Sequence, residues 1–114
     1  MANYKNLIVF HKADKLAVEI YEITQSFPKT EIYGITSQLR RAALSIPLNI
    51  VEGYARKSKK ELKQFLNISL GSLAETEYLL SFSMRLGYIK KETVQIDKLL
   101  EETGKTLWGL YRTL

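Results

Sequence analysis

The sequence predicts an all-α protein, an antiparallel up-down-up-down four-helix bundle. Three observations carry that expectation. Apolar residues recur at steps of three and four through most of the chain, which is the spacing of one helix face. No segment alternates with a period of two between hairpin turns, so strands find no support. The breaks at Phe27-Pro28, Gly53 and Gly87 leave four periodic stretches joined by short connections. A length of 114 residues, 46% hydrophobic and 25% charged, suits a single ordered domain over 1–114.

The first stretch is expected from about Phe10 to Ser26. Ala13, Leu16, Ala17, Ile20, Ile23, Thr24 and Phe27 form its stripe, with Lys12, Lys15, Glu19 and Glu22 off it. Pro28 pushes Phe27 away from helical angles and ends the helix. Residues 28–36 form a connection, with Gly34 suited to a turn.

The second helix is expected to begin near Thr36 or Ser37, either of which suits an N-cap. Leu39, Ala42, Ala43, Ile46, Ile50 and Val51 are its apolar positions. Pro47 lacks an N–H and crowds the Ala43 carbonyl, at a cost of roughly 3 kcal/mol. The apolar spacing keeps its phase through Pro47, so one helix kinked there is preferred to two. Gly53 is the expected stop, with Tyr54 and Ala55 able to add a turn.

Ser58-Lys59-Lys60-Glu61 fits a capping box at the start of the third helix. Leu62, Phe65, Leu66, Ser69, Leu73, Thr76, Leu80, Ser83 and Met84 trace one face to about Leu86. Gly87 follows as a left-handed C-terminal cap. The fourth helix is expected from Lys91–Thr93, with Val94, Ile96, Leu99, Leu100, Thr103, Leu107, Leu110, Tyr111 and Leu114 on its apolar face. Gly104 and Gly109 lower its propensity; they serve close packing, or the last turn frays.

The charge is uneven. Met1 to Lys63 holds eleven Lys/Arg against six Asp/Glu, a net of +5, and Gln64 to Leu114 is neutral. Residues 40–63 alone hold Arg40, Arg41, Arg56, Lys57, Lys59, Lys60 and Lys63 against Glu52 and Glu61. Such a cluster is either a solvated face or a set of phosphate contacts, with nucleic acid the first acidic partner to consider. Arg40 and Arg41 either meet phosphate or form structural ion pairs with Glu52 or another carboxylate. Tyr54 is the aromatic that adjoins the cluster in sequence. The other tyrosines are scattered over helices and turns, so phosphate and shape recognition is expected rather than base stacking.

Catalytic chemistry finds little support. There is no cysteine and His11 is the sole histidine, so Cys-based zinc, paired-His and Glu-x-x-His di-iron arrangements are not available within one chain. No glycine-rich phosphate loop is present, because Leu70-Gly71-Ser72 lies in a helical pattern. Neither an enzyme nor a cofactor or metal is expected. The apolar runs are too short for a membrane span and the N-terminus lacks a signal-peptide stretch, so a cytoplasmic setting without membrane contact is expected.

Two polar constellations remain. Ser45, Asn49 and Glu52 step by four and three along the second helix beside Gly53. They form either a hydrogen-bonded seam, with a cap for groups freed by Pro47, or a contact surface for a partner. Ser69, Gly71, Ser72, Ala74 and Thr76 make a small-residue stretch on the third helix. Its glycine costs about 1 kcal/mol and suits close packing, either within one bundle or between subunits.

The run Gln38-Leu39-Arg40-Arg41-Ala42-Ala43-Leu44-Ser45-Ile46-Pro47-Leu48-Asn49-Ile50-Val51-Glu52-Gly53 resembles the signature of the four-helix-bundle family of 23S rRNA intervening-sequence proteins. Phe27-Pro28, Glu31-x-Tyr33-Gly34-Ile35, Phe65-Leu66-x-Ile68-Ser69-x-Gly71-Ser72-Leu73-x-Glu75 and Leu86-Gly87-Tyr88-Ile89 extend the likeness from about Phe10 to Leu110. The resemblance singles out Arg40, Arg41, Ser45, Pro47, Asn49, Glu52 and Gly53, and attaches no catalytic role to them. Family members are often encoded within insertions in bacterial 23S rRNA genes. The family resembles the accessory protein of diversity-generating retroelements, a pentameric barrel that binds nucleic acid and a reverse transcriptase. By that analogy the expectation is a bacterial homopentamer with a basic surface, RNA preferred to DNA as ligand, and room for a protein partner. A self-assembling scaffold that docks a partner enzyme without nucleic acid is the competing expectation.

Overall fold

The computed structural model describes residues 3–114 and contains four helices: α1 Ile8–Ile23, α2 Ile35–Ala55, α3 Lys59–Arg85 and α4 Val94–Arg112. Among the described residues there is no strand. Each helix packs antiparallel on the next, and α4 returns against both α1 and α3, closing a four-helix bundle. The α2–α3 pair shares the most extensive interface. The bundle measures 43 × 26 × 20 Å.

One core runs through all four helices. Leu16 and Ile20 of α1, Leu39, Ile46 and Ile50 of α2, Leu66 of α3 and Leu107 of α4 are fully buried in it. The helix α3 buries hydroxyls as well as hydrocarbon. Thr76 and Ser83 donate to the carbonyls of Ser72 and Leu79 one turn back, both at 2.8 Å, so their burial leaves the Oγ–H satisfied.

The expected boundaries need several corrections. The first helix starts at Ile8, two residues before Phe10, and gives way after Ile23 to a 3₁₀ turn over Thr24–Ser26. Residue Gly34, not Thr36 or Ser37, precedes α2. Thr36 lies inside the helix and is buried. The helix α2 runs unbroken through Pro47, and Gly53 lies within it rather than ending it. The chain leaves the helix at Arg56, which turns extended. Met84 and Val94, expected on apolar faces, are 50% and 65% exposed. Met84 lies in the last turn of α3 and Val94 is the first residue of α4.

Both ends of α3 follow sequence logic. The Ser58 Oγ accepts a hydrogen bond from the Glu61 N–H at 3.1 Å, and the Ser58 hydroxyl donates to Glu61 Oε1 at 3.1 Å in return. At the other end Gly87 has φ 74°, the left-handed conformation. The Tyr88 N–H reaches the Ser83 carbonyl and the Gly87 N–H the Met84 carbonyl, completing a Schellman motif. Gly104 approaches Leu73 of α3, where an added Cβ would stand 3.3 Å from Cδ2, and Gly109 faces open space.

Candidate nucleic-acid interface

The α2–α3 junction is a tight corner. A Cβ on Gly53 would stand 2.9 Å from Leu62 Cδ1 and 3.1 Å from Phe65 Cβ. Glycine therefore lets the first turn of α3 close over the last turn of α2. This corner projects Arg56, Lys57, Lys59 and Lys60 into solvent, all four exposed. The Arg56 guanidinium lies over the Phe65 ring at 4.9 Å and reaches Glu52 at 3.9 Å. Lys63 lies one turn further along α3, half-buried. Among the described residues, Lys57, Lys59, Lys60 and Lys63 form no ion pair with a carboxylate. Five cations therefore lie around this end of the bundle, and among the described residues Arg56 alone of them pairs with a carboxylate.

Antiparallel packing adds aromatic rings to this end. The Lys63 Nζ lies 5.0 Å over the Tyr111 ring, and Tyr111 stacks on Trp108 with centroids 5.4 Å apart and planes 18° apart. Phe65 and Tyr111 thus border the basic cluster, with Trp108 stacked on Tyr111, so Tyr54 is not the sole aromatic to consider beside it. Tyr54 is half-buried, and burial pushes its phenol above the ordinary tyrosine range.

Arg40 and Arg41 lie elsewhere. From Arg41 to Arg56 is fifteen residues of helix, roughly 22 Å at 1.5 Å per residue. The Arg40 Nε donates to Thr24 Oγ1 at 2.7 Å, its Nη2 donates to the Tyr21 carbonyl at 3.3 Å, and the guanidinium covers the Tyr21 ring at 4.9 Å. It therefore caps the C-terminal end of α1, using hydroxyl, carbonyl and ring rather than a carboxylate. Arg41 is exposed along an open groove between α2 and α3 that Ser37, Gln38, Ser45, Ser72 and Glu75 also line.

The polar line on α2 is a seam. Asn49 Nδ2 donates to the Ser45 carbonyl and to Ser45 Oγ, both at 2.8 Å. Across the interface Ser72 Oγ bonds Ser45 Oγ at 2.8 Å, and Ser69 Oγ donates to the Ile46 carbonyl at 2.9 Å. These bonds end on Ser45 and Ile46, two and three residues past the Ala43 carbonyl that Pro47 deprives of its donor. Glu52 stands apart from the seam, beside Arg56. Gly71 is exposed with nothing within 4 Å of an added Cβ, so it serves no close contact inside this bundle. Among the described residues no cluster of His, Asp or Glu side chains suits a metal ion, and no helix is long and apolar enough to cross a membrane.

The sequence pattern of the 23S rRNA-intervening sequence protein family matches residues 5–109. The chain belongs to this family. A solved structure is similar to it over nearly its whole length. That structure is of a protein of unknown function from the S23 ribosomal protein family of Bacteroides thetaiotaomicron VPI-5482. It is 29% identical and superposes with a TM-score of 0.79, covering 91% of this chain and 98% of that one. A search of curated proteins gives no match. Within the family's match, the Arg40–Gly53 block now has a physical reading. It holds the α1 cap at Arg40, the seam at Ser45 and Asn49, and the corner glycine at Gly53.

Proposed function

We propose that this chain is a non-enzymatic, self-assembling bundle that binds structured RNA through its phosphates. The observation that carries the reading is the basic corner, whose four lysines form no ion pair among the described residues and whose Arg56 reaches only Glu52. Arg56, Lys57, Lys59, Lys60 and Lys63 converge there from the end of α2 and the start of α3. Loop and helix-end cations of this kind track a phosphate backbone without reading sequence. Arg41 is a separate exposed cation that longer RNA can reach along the α2–α3 groove. Arg40, engaged with Tyr21 and Thr24, contributes to folding and only indirectly to binding.

Assembly would strengthen the effect. The chain carries a net +5, so a homopentamer carries +25 and gathers five basic corners on one particle. RNA is favoured over DNA by the family's link to the 23S rRNA genes, and the bacterial cytoplasm is the setting that goes with it.

The test is light-scattering mass during size exclusion, with and without a structured RNA, at two salt concentrations. The expected result is a five-subunit mass that co-elutes with RNA at low salt. Affinity should fall with a log–log slope of about −0.7 to −0.9 per neutralised phosphate. An Arg56/Lys57/Lys59/Lys60→Ala variant should keep its mass and lose the RNA. Equal binding by that variant, or a flat salt response, overturns the reading.

A second reading is favoured by a different observation. Leu44 and Leu48 on α2 and Ile68 on α3 are 45%, 49% and 50% exposed, near the open Gly71. Under it the α2–α3 face assembles copies or docks a partner enzyme, and nucleic acid plays no part. A stable oligomer indifferent to RNA at low salt selects this reading.

A further inference from the structure

Trp108 is the single tryptophan of the chain, and 49% of its surface is exposed. A bundle gains little from an indole left half in solvent on its last helix, since burial is where that side chain stabilises. Its neighbours give it a chemical character. Lys105 precedes it by three residues and Arg112 follows it by four, so both flank it on the same face of α4. Lys105 is engaged with Glu101 at 3.1 Å, and both members of that pair are well exposed. Tyr111, three residues on, lies nearly parallel against the indole, which fixes the ring's orientation. From α3, Lys63 places its ammonium over the other member of the stack, the Tyr111 ring.

The arrangement interleaves two stacked rings with Lys63, Lys105 and Arg112, and Lys63 joins it to the basic corner at Arg56–Lys60. A protein partner of apolar character would meet desolvated ammonium groups at every edge of this patch. A nucleotide satisfies both parts at once: its base has a π-face for the indole and its phosphate an anion for the flanking cations.

We infer that Trp108, held by Tyr111, is a stacking platform for an unpaired base of the bound nucleic acid, with Lys63 and Arg112 contacting the adjoining phosphates. The inference rests on the phosphate-binding reading above and deepens it. A duplex keeps its bases stacked inside, so the platform selects unpaired segments of a structured RNA, such as loops and frayed ends. The ring adds affinity for any base and little sequence preference.

Trp108 reports on itself, because its emission is the only indole emission of the chain. The probe is a uridine oligonucleotide of ten to twelve residues, set against a blunt RNA duplex with the same number of phosphates. Binding is followed by anisotropy of a labelled strand, and stacking by quenching of Trp108 emission in parallel. The oligonucleotide should quench the emission at saturation, and the duplex should quench it far less. Trp108→Ala should weaken oligonucleotide binding by about 5- to 150-fold, the range found for removal of one stacking ring. It should leave the duplex affinity within about twofold. Trp108→Phe, which keeps a ring, should recover part of the loss. Helical circular dichroism and mass of both variants should match the parent.

An oligonucleotide that binds with the expected salt dependence but leaves the emission unchanged, and binds Trp108→Ala equally well, overturns the platform while the phosphate reading stands. Failure of both probes to bind at low salt overturns the two together. A Trp108→Ala protein with altered mass and unaltered affinity also overturns the platform, assigning the indole to a contact between copies.

Discussion

A methyl group on Gly53 would press on Leu62 and Phe65 at 2.9 and 3.1 Å, distances at which the α2–α3 corner has to shift. Two effects of Gly53→Ala therefore compete. Alanine is the better helix former by about 1 kcal/mol, and Gly53 lies inside α2. Overpacking a closed contact costs about 1–3 kcal/mol. The Phe65 Cβ is tied to the α3 backbone and yields less than the Leu62 methyl, so the clash should win. Gly53→Ala should unfold at lower urea than the parent, by up to about 2 kcal/mol. A variant as stable as the parent would mean that opening the corner costs no more than the helix-propensity gain of about 1 kcal/mol. The glycine stands out in the sequence, but its neighbours do not, because Leu62 and Phe65 come back to it only across the turn. Its reading as a helix stop fails for that reason. Arg40 behaves alike. Its charge is legible and its engagement is not, since Thr24 and Tyr21 belong to another helix.

Between elements, Lys12 of α1 meets Glu102 of α4 at 2.9 Å. The hydrogen bond from Lys12 holds the Glu102 carboxyl below the ordinary carboxylate range, against a smaller opposing effect of burial. A carboxyl whose pKa is lower folded than unfolded binds fewer protons when folded. Its contribution is therefore present above the unfolded pKa and disappears as pH falls through the folded one. Glu102→Gln should melt below the parent at pH 7, and the two melting curves should converge near pH 3. Curves that stay parallel from pH 7 to pH 3 would remove the ionised pair as the cause. At this scale the helices themselves are well read from sequence. Local signals fix both ends of α3, since Ser58, Glu61 and Gly87 act within one turn of themselves. Boundaries fail where the last turn tightens, as after Ile23, or where an upstream side chain serves the first helical N–H, as Glu31 does for Ile35 just after Gly34. The aromatic side of the basic end was also within reach. Antiparallel helices set the start of α3 beside the end of α4, so Lys63 meets Tyr111 once the up-down order is taken literally. Proximity in sequence, which points to Tyr54, is the weaker guide.

For the whole molecule, Gly71 separates a lone bundle from an assembly. In a lone bundle a mid-helix glycine in open space is a cost of about 1 kcal/mol with nothing to offset it. The apolar residues around it point to an offset from outside. Ile68, one turn before it on α3, and Leu44 and Leu48 on α2 are exposed apolar side chains, and a glycine lets a second backbone approach closely. The open space makes the substitution a clean one. A leucine at position 71 meets no atom of its own chain within 4 Å at Cβ, so the single bundle should tolerate it and gain helix propensity. If copies meet on this face, as proposed, the same side chain would occupy the gap that the partner needs. Gly71→Leu should therefore keep its helical circular dichroism and lose mass by light scattering, falling toward the 13.1 kDa of one chain. Retention of the parent's mass would place the contact between copies on another face. The effect on RNA follows from the arithmetic of charge. On the proposed reading, dispersed chains would keep the basic corner and lose its repetition, so each should bind RNA with the salt slope of one site and without avidity.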